Sequence, residues 1–295
     1  MRSLWALGLL ALTLQGAGCA WLDAKQRNIL YRPTPGVPAD FAGLRAGDER
    51  FFIPVHTSPG VKSESSNPAQ QIEMWWLPHA NPDAPTLLYY HGTFRNLYQN
   101  LHKIDALRQA GFAILAVEYR GWGRSTPLVP SEHSIMQDAD LAWAEMQRRE
   151  PRASHRVIYG HSMGSGVAVD VASRLHASTD YGGLILEAAL TSFRDVAYEA
   201  AFVAGLVTFF NNERFDSYAK IARVNAPLLM IHGDQDTTIP LRVGEKLFNA
   251  ANQPKLWLPI PQAGHSDAHA VGQEAYQRTL LQFQHTYILG RGGSR

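Results

Sequence analysis

The chain has one cysteine, Cys19, so no internal disulfide can staple its fold. It has no excess charge of either sign: 27 Lys and Arg stand against 26 Asp and Glu. Nucleic acid as a partner is therefore not expected, because that partner calls for a basic patch or stripe. No apolar run reaches the roughly 18 residues needed to span a bilayer. Internal repeats and low-complexity tracts are missing, as are a Gly-rich phosphate cradle and a cluster of metal-ligating side chains. A metal is not implied, and no cofactor is needed for the chemistry read below. What remains is 295 residues, 45% of them apolar and 18% charged. That is enough to bury one large core, in the size range of a single α/β domain.

The first residues read differently from the rest. Arg2 precedes an apolar stretch over residues 4–14, and Gly16, Ala17 and Gly18 then lead to Cys19. A positive start, a short apolar run and small residues make a secretory signal, not a membrane span. The segment resembles a bacterial lipoprotein signal, although Gly16 stands where that pattern usually carries Leu. The resemblance implies that residues 1–18 are removed and that the Cys19 thiol takes a diacylglyceryl group. It also implies a lipid-anchored place in the cell envelope, with Ala20 favouring the periplasmic side of the outer membrane. An ordinary cleaved signal with an idle cysteine is the alternative. Residues 19–48 carry Pro33, Pro35, Gly36, Pro38, Gly43 and Gly47 and read as a tether or N-terminal arm. Residues 49–290 read as the folded domain.

Within that domain, strand-length apolar runs alternate with segments of helical period. Strands are expected over 50–55, 71–77, 86–90, 112–117, 157–159, 183–187, 227–232 and 255–260. The first two are expected to form an antiparallel pair. Later ones such as Leu228-Leu229-Met230-Ile231 are continuously apolar, so both of their faces must be covered. Helices are expected over 97–110, 134–149, 163–175, 194–210, 241–251 and 273–285. The β-α-β-α order from Thr86 onward predicts an open, mostly parallel sheet flanked by helices.

Gly160-His161-Ser162-Met163-Gly164 lies between an expected strand and an expected helix. A serine raised on a sharp strand-to-helix turn needs glycine two positions to either side, because side chains there would collide. The helix that follows aims free N–H groups and its positive end at developing negative charge. A serine hydroxyl becomes a nucleophile when a histidine takes its proton and a carboxylate orients that histidine. Asp234 and Asp236 follow the 227–232 strand, and Glu187 ends the strand before it; Asp236-Thr237 could instead begin the next helix. After the last strand comes Gly264-His265, with His269 close behind. His265 is the base by position. Oxyanion donors are expected from the amide of Met163 and from the loop over 90–96, at Thr93 or alternatively Phe94. His91 in that loop reads as structural.

Taken together, His91-Gly92, the run Glu118-Tyr119-Arg120-Gly121-Trp122-Gly123-Arg124-Ser125, Gly160-His161-Ser162-Met163-Gly164, Gly233 to Pro240 and Gly264-His265 resemble an α/β-hydrolase. The likeness runs from about residue 50 to 288. The branch it most resembles is the serine aminopeptidase-like hydrolases, which include depalmitoylating and monoacylglycerol-cleaving members. Glu118 stands where that branch often has Asp. The resemblance implies an eight-stranded, mostly parallel sheet with a small helical lid over 189–224. Gly233, Asp236, Ile239 and Pro240 fit the family's pattern around its triad acid, which selects Asp236 over Asp234. It implies a serine hydrolase of carboxylic esters or thioesters working through Ser162, Asp236 and His265. Phe202, Val203, Leu206, Val207, Phe209 and Phe210 in the lid, with the anchor, point to an apolar acyl substrate. Alternatives on the same residues are an aminopeptidase or an acyltransferase. From another class comes an inactive, lipid-tethered binding protein.

Overall fold

The computed structural model describes residues 21–55, 69–200 and 213–290. The signal segment, Cys19 and the aromatic lid residues between 202 and 210 lie outside the described residues. Eight strands form one sheet: β1 (Glu49–Pro54), β2 (Gln71–Leu77), β3 (Thr86–Tyr90), β4 (Ala113–Glu118), β5 (Arg156–His161), β6 (Gly183–Glu187), β7 (Leu228–Gly233) and β8 (Lys255–Ile260). Their order is β1-β2-β4-β3-β5-β6-β7-β8. β1 and β2 pair antiparallel, as do β2 and β4, while every pairing from β4 to β8 is parallel.

Strands β3 to β7 are buried along their whole length, which is why they read as unbroken apolar runs. Helices cover both faces. On one side, α3 (Glu132–Arg149), α4 (Met163–Ser173) and α6 (Leu241–Ala250) bury Ile135, Trp143, Val167 and Leu247 against Leu88, Ile158 and Leu186. On the other, α2 (Leu101–Gln109) and α7 (Ala268–Phe283) bury Ile104, Leu107, Tyr276 and Phe283 against Leu87, Tyr159 and Ile185. The described part of α5 is Phe193–Ala200.

Helix ends differ from the periodicity for local reasons. α3 starts two residues early because Ser131 caps it: its hydroxyl accepts the Ser134 N–H at 3.1 Å, and the Ser134 hydroxyl accepts the Ser131 N–H at 2.9 Å. The expected helix over 97–110 begins as a 3-10 turn, Tyr98–Asn100, before α2. α7 begins at Ala268 rather than 273, with a kink at Gln273, where φ is 32°. Just before the kink, a Cβ on Gly272 would come 2.8 Å from the Ile260 side chain, so the helix runs tight against β8.

The arm is docked along the domain. Residues 21–31 form a helix, α1, and Tyr31 at its end is fully buried. Its ring meets Trp122, Phe193 and Phe215 at 6.4, 6.0 and 6.3 Å between centroids. Among the described residues no helix is long and apolar enough to cross a membrane.

Candidate active site

Ser162 sits between the end of β5 and the start of α4 with φ +56° and ψ −124°. That conformation costs a non-glycine residue on the order of 1–3 kcal/mol, and the turn around it enforces it. A Cβ on Gly160 would lie 2.2 Å from the Gly164 carbonyl oxygen, and one on Gly164 would lie 2.1 Å from that of Tyr90. Only glycine fits at either place, so the bend projects Ser162 above the sheet edge.

His265 follows β8 and reaches back to it. Its Nε2 is 2.9 Å from Ser162 Oγ, and its Nδ1 is 2.8 Å from Asp236 Oδ2. The other carboxylate oxygen of Asp236 accepts the N–H groups of Thr238 and Ile239, both at 2.8 Å. Burial raises the Asp236 carboxyl, but His265, the Ile239 N–H and His232 outweigh it, holding the group below its ordinary value. Asp236 is therefore an anion whose two oxygens are fixed, one by backbone and one by the imidazole. His161 adds a brace, its Nε2 donating to the His265 carbonyl at 2.9 Å. Burial, then Lys103, lowers His161 well below the usual histidine range, which keeps this donor neutral.

The other carboxylates have different partners. Asp234 Oδ1 accepts the Gln262 N–H at 2.7 Å, tying the loop after β7 to the loop after β8. Glu187 is buried in an ion pair with Lys103 and accepts the hydroxyls of Tyr159 and Tyr276 at 2.8 and 2.9 Å. Burial pushes Glu187 up, yet the Lys103 ammonium and the Tyr159 hydroxyl bring it down to about 2. His269 lies in the first turn of α7, where burial and Lys103 lower it. It lines a cavity of about 480 Å³ with Arg95, His102 and Asp267, alongside the His265 loop.

The loop after β3 abuts the serine: a Cβ on Gly92 would come 2.9 Å from that of Ser162. Thr93 follows directly, its carbonyl accepting the Arg95 N–H at 2.8 Å. Met163 N–H opens α4 and, by position, has no intrahelical carbonyl to bond. His91 is fully buried; Nδ1 donates to the Gly92 carbonyl at 2.6 Å, and Nε2 lies 3.0 Å from Glu118 Oε1. Glu118 Oε2 in turn accepts the Leu97 N–H at 2.9 Å. The arm holds the same loop from outside, which sequence reading missed. Thr34 Oγ1 donates to the Phe94 carbonyl at 2.6 Å, and Asn96 Nδ2 donates to the carbonyls of Thr34 and Gly36 at 3.2 and 3.0 Å. Gly36 and Gly123 complete the clasp through backbone bonds, Gly36 N–H to Gly123 and Gly123 N–H to Thr34. A run of prolines and glycines gives no periodic signal for such a contact.

A mostly parallel eight-stranded sheet covered on both faces, with a Gly-x-Ser-x-Gly elbow at the carboxyl edge, defines the α/β-hydrolases. The chain belongs to that superfamily, and the protein is a hydrolase. The family described as serine aminopeptidase, S33, matches residues 81–218. An uncharacterized protein of Mycobacterium tuberculosis, Rv2307c, is 27% identical over 297 residues and is matched over 98% of both chains. The lysophosphatidylserine lipase ABHD12 of Danio rerio is 31% identical over 217 residues, covering 68% of this chain and 55% of that protein. This chain thus matches about half the length of that relative. Among solved structures, an esterase of Pyrococcus furiosus, Pf2001, superimposes with a TM-score of 0.64 over 86% of this chain and 98% of its own, at 14% identity.

Proposed function

We propose that the protein is a serine hydrolase that cleaves carboxylic esters or thioesters of apolar acyl groups. The observation that carries this reading is the unbroken hydrogen-bond line from Ser162 Oγ through His265 to the Asp236 carboxylate, 2.9 and 2.8 Å long. His265 takes the Ser162 proton at Nε2 as Oγ bonds to the acyl carbon. The negative charge that appears on the carbonyl oxygen falls to the Met163 amide at the head of α4 and to the Thr93 amide beside Gly92. Protonated His265 then gives its proton to the departing alcohol or thiol, and the acyl group stays on Ser162. Water repeats the sequence with His265 as base, releasing the acid and restoring the serine. Asp236, held anionic, keeps the imidazole in the tautomer that accepts at Nε2.

The acyl preference draws on the apolar lid sequence and on a relative named a lysophosphatidylserine lipase. A lipid anchor at Cys19 would keep the enzyme beside such substrates. The test is labelling with a fluorophosphonate probe. Wild type should label and Ser162→Ala should not; wild-type protein that fails to label would refute the reading. Turnover across esters and thioesters of increasing chain length then names the acyl group.

A further inference from the structure

The face of α1 that turns away from the domain has an unusual composition. Trp21, Leu22 and Ile29 are 63, 53 and 71% exposed, and Trp21 and Ile29 are the most exposed large apolar side chains among the described residues. Residues 21, 25 and 29 follow one another along successive turns, with Leu22 beside them. Lys25 lies between Trp21 and Ile29, its ammonium 5.7 Å from the Trp21 ring. The acid of this helix, Asp23, sits to one side in an ion pair with Arg27 at 2.6 Å. Exposed Arg32 continues the strip, its guanidinium 4.6 Å above the ring of Phe94, which is 42% exposed. Phe94 adjoins Thr93 and so stands at the rim of the Ser162 site.

Aromatic and aliphatic side chains interleaved with cations on one helical face suit the headgroup layer of a bilayer. Tryptophan sits at its boundary, aliphatic groups enter the acyl region and cations meet lipid phosphates. We propose that this face of α1, together with Arg32 and Phe94, docks onto an anionic phospholipid surface and seats the rim of the site against it. The choice of occupant follows from the charge: the exposed ions on this strip are Lys25 and Arg32. It follows also from position, since Cys19, the lipidation site of the lipoprotein reading, stands two residues before Trp21 in the chain. The proposal deepens the acyl-hydrolase reading and rests on it for its purpose, though its measurement stands apart from activity.

Cys19 is the only thiol, so a single probe can be placed at will. Full-length Cys19→Ser/Ile29→Cys carries an environment-sensitive NBD fluorophore at position 29. A control, Cys19→Ser/Glu274→Cys, carries it on the exposed side of α7. With vesicles containing 30% phosphatidylglycerol in phosphatidylcholine, the probe at 29 should brighten about threefold or more and be quenched by nitroxide-bearing lipids. The probe at 274 should do neither. Adding Lys25→Glu and Arg32→Glu should reduce the response on anionic vesicles. A probe at 29 that stays as water-exposed as the one at 274 overturns the proposal. So does brightening that follows protein concentration without vesicles, which would assign the face to a second copy of the chain. Ester turnover is measured on the same samples. Lipid burial without turnover would sink only the hydrolase reading, and turnover without lipid burial only the docking face.

Discussion

Glu187 ends β6 and Asp236 lies in the loop after β7, both near Ser162, and paired substitutions separate what they do. In Asp236→Asn the side-chain oxygen can still accept the Thr238 and Ile239 N–H groups, so the loop keeps its anchor. The amide nitrogen then replaces Oδ2 and cannot accept from His265 Nδ1, so the imidazole turns to the tautomer that cannot take the Ser162 proton. Turnover should fall about 10⁴-fold, about 5.5 kcal/mol in the barrier, as for the corresponding change in a Ser-His-Asp protease. Glu187→Gln should act on stability instead. It leaves Lys103 buried without its anion, a loss of about 3–5 kcal/mol. In a chain this size that lowers Tm by roughly 6–15 °C. The wild-type acid response offers a second measure. Glu187 moves from an ordinary 4.5 to about 2 on folding. A depressed folded value means that its contribution is complete above pH 4.5 and is lost as pH falls toward 2. It corresponds to on the order of 3 kcal/mol. Chemical denaturation between pH 6 and 2.5, alongside steady-state kinetics, checks both. Glu187→Gln losing turnover at unchanged Tm, with Asp236→Asn still active, would refute the assignment.

Gly164→Ala should abolish both the fold of the elbow and activity, because the added methyl meets the Tyr90 backbone oxygen at 2.1 Å; soluble yield and circular dichroism report it. Thr34→Val removes the hydroxyl that holds the Phe94 carbonyl, a bond of about 1 kcal/mol, and should lower kcat roughly fivefold with KM little changed, while Thr34→Ser retains it. On the lipoprotein reading, Cys19→Ser should turn a membrane association that resists high salt and alkaline carbonate into one that such a wash releases; membrane partition that survives the wash would remove the lipid-anchor argument.

Much of the fold was legible because each signal was local or periodic. The continuous apolar runs at 86–90 and 228–231 could only be strands covered on both faces, and they are. The elbow was legible because two glycines at fixed spacing have a steric cause that the structure makes explicit at Gly160 and Gly164. That His265 approaches Ser162 across 103 positions could be expected only from strand-end location and family likeness. Local spacing alone left Asp234 and Asp236 open, since both follow β7; their different hydrogen-bond partners are a property of the folded loops. The start of α3 was misplaced because a serine-serine capping box carries no apolar period. The docked arm escaped notice for a related reason. Its contacts are backbone carbonyls and one threonine hydroxyl meeting a loop 60 residues away, and no composition rule anticipates them.

Composition puts the domain boundary near residue 48, yet Thr34 and Gly36 are laced to the very loop that faces Ser162. A protein trimmed to begin at 49 would retain the serine, histidine and aspartate and lose the outer wall of their workplace. Any re-engineering of the N-terminal segment must splice upstream of Tyr31, because from there on the arm and the loop beside Ser162 are one piece of architecture.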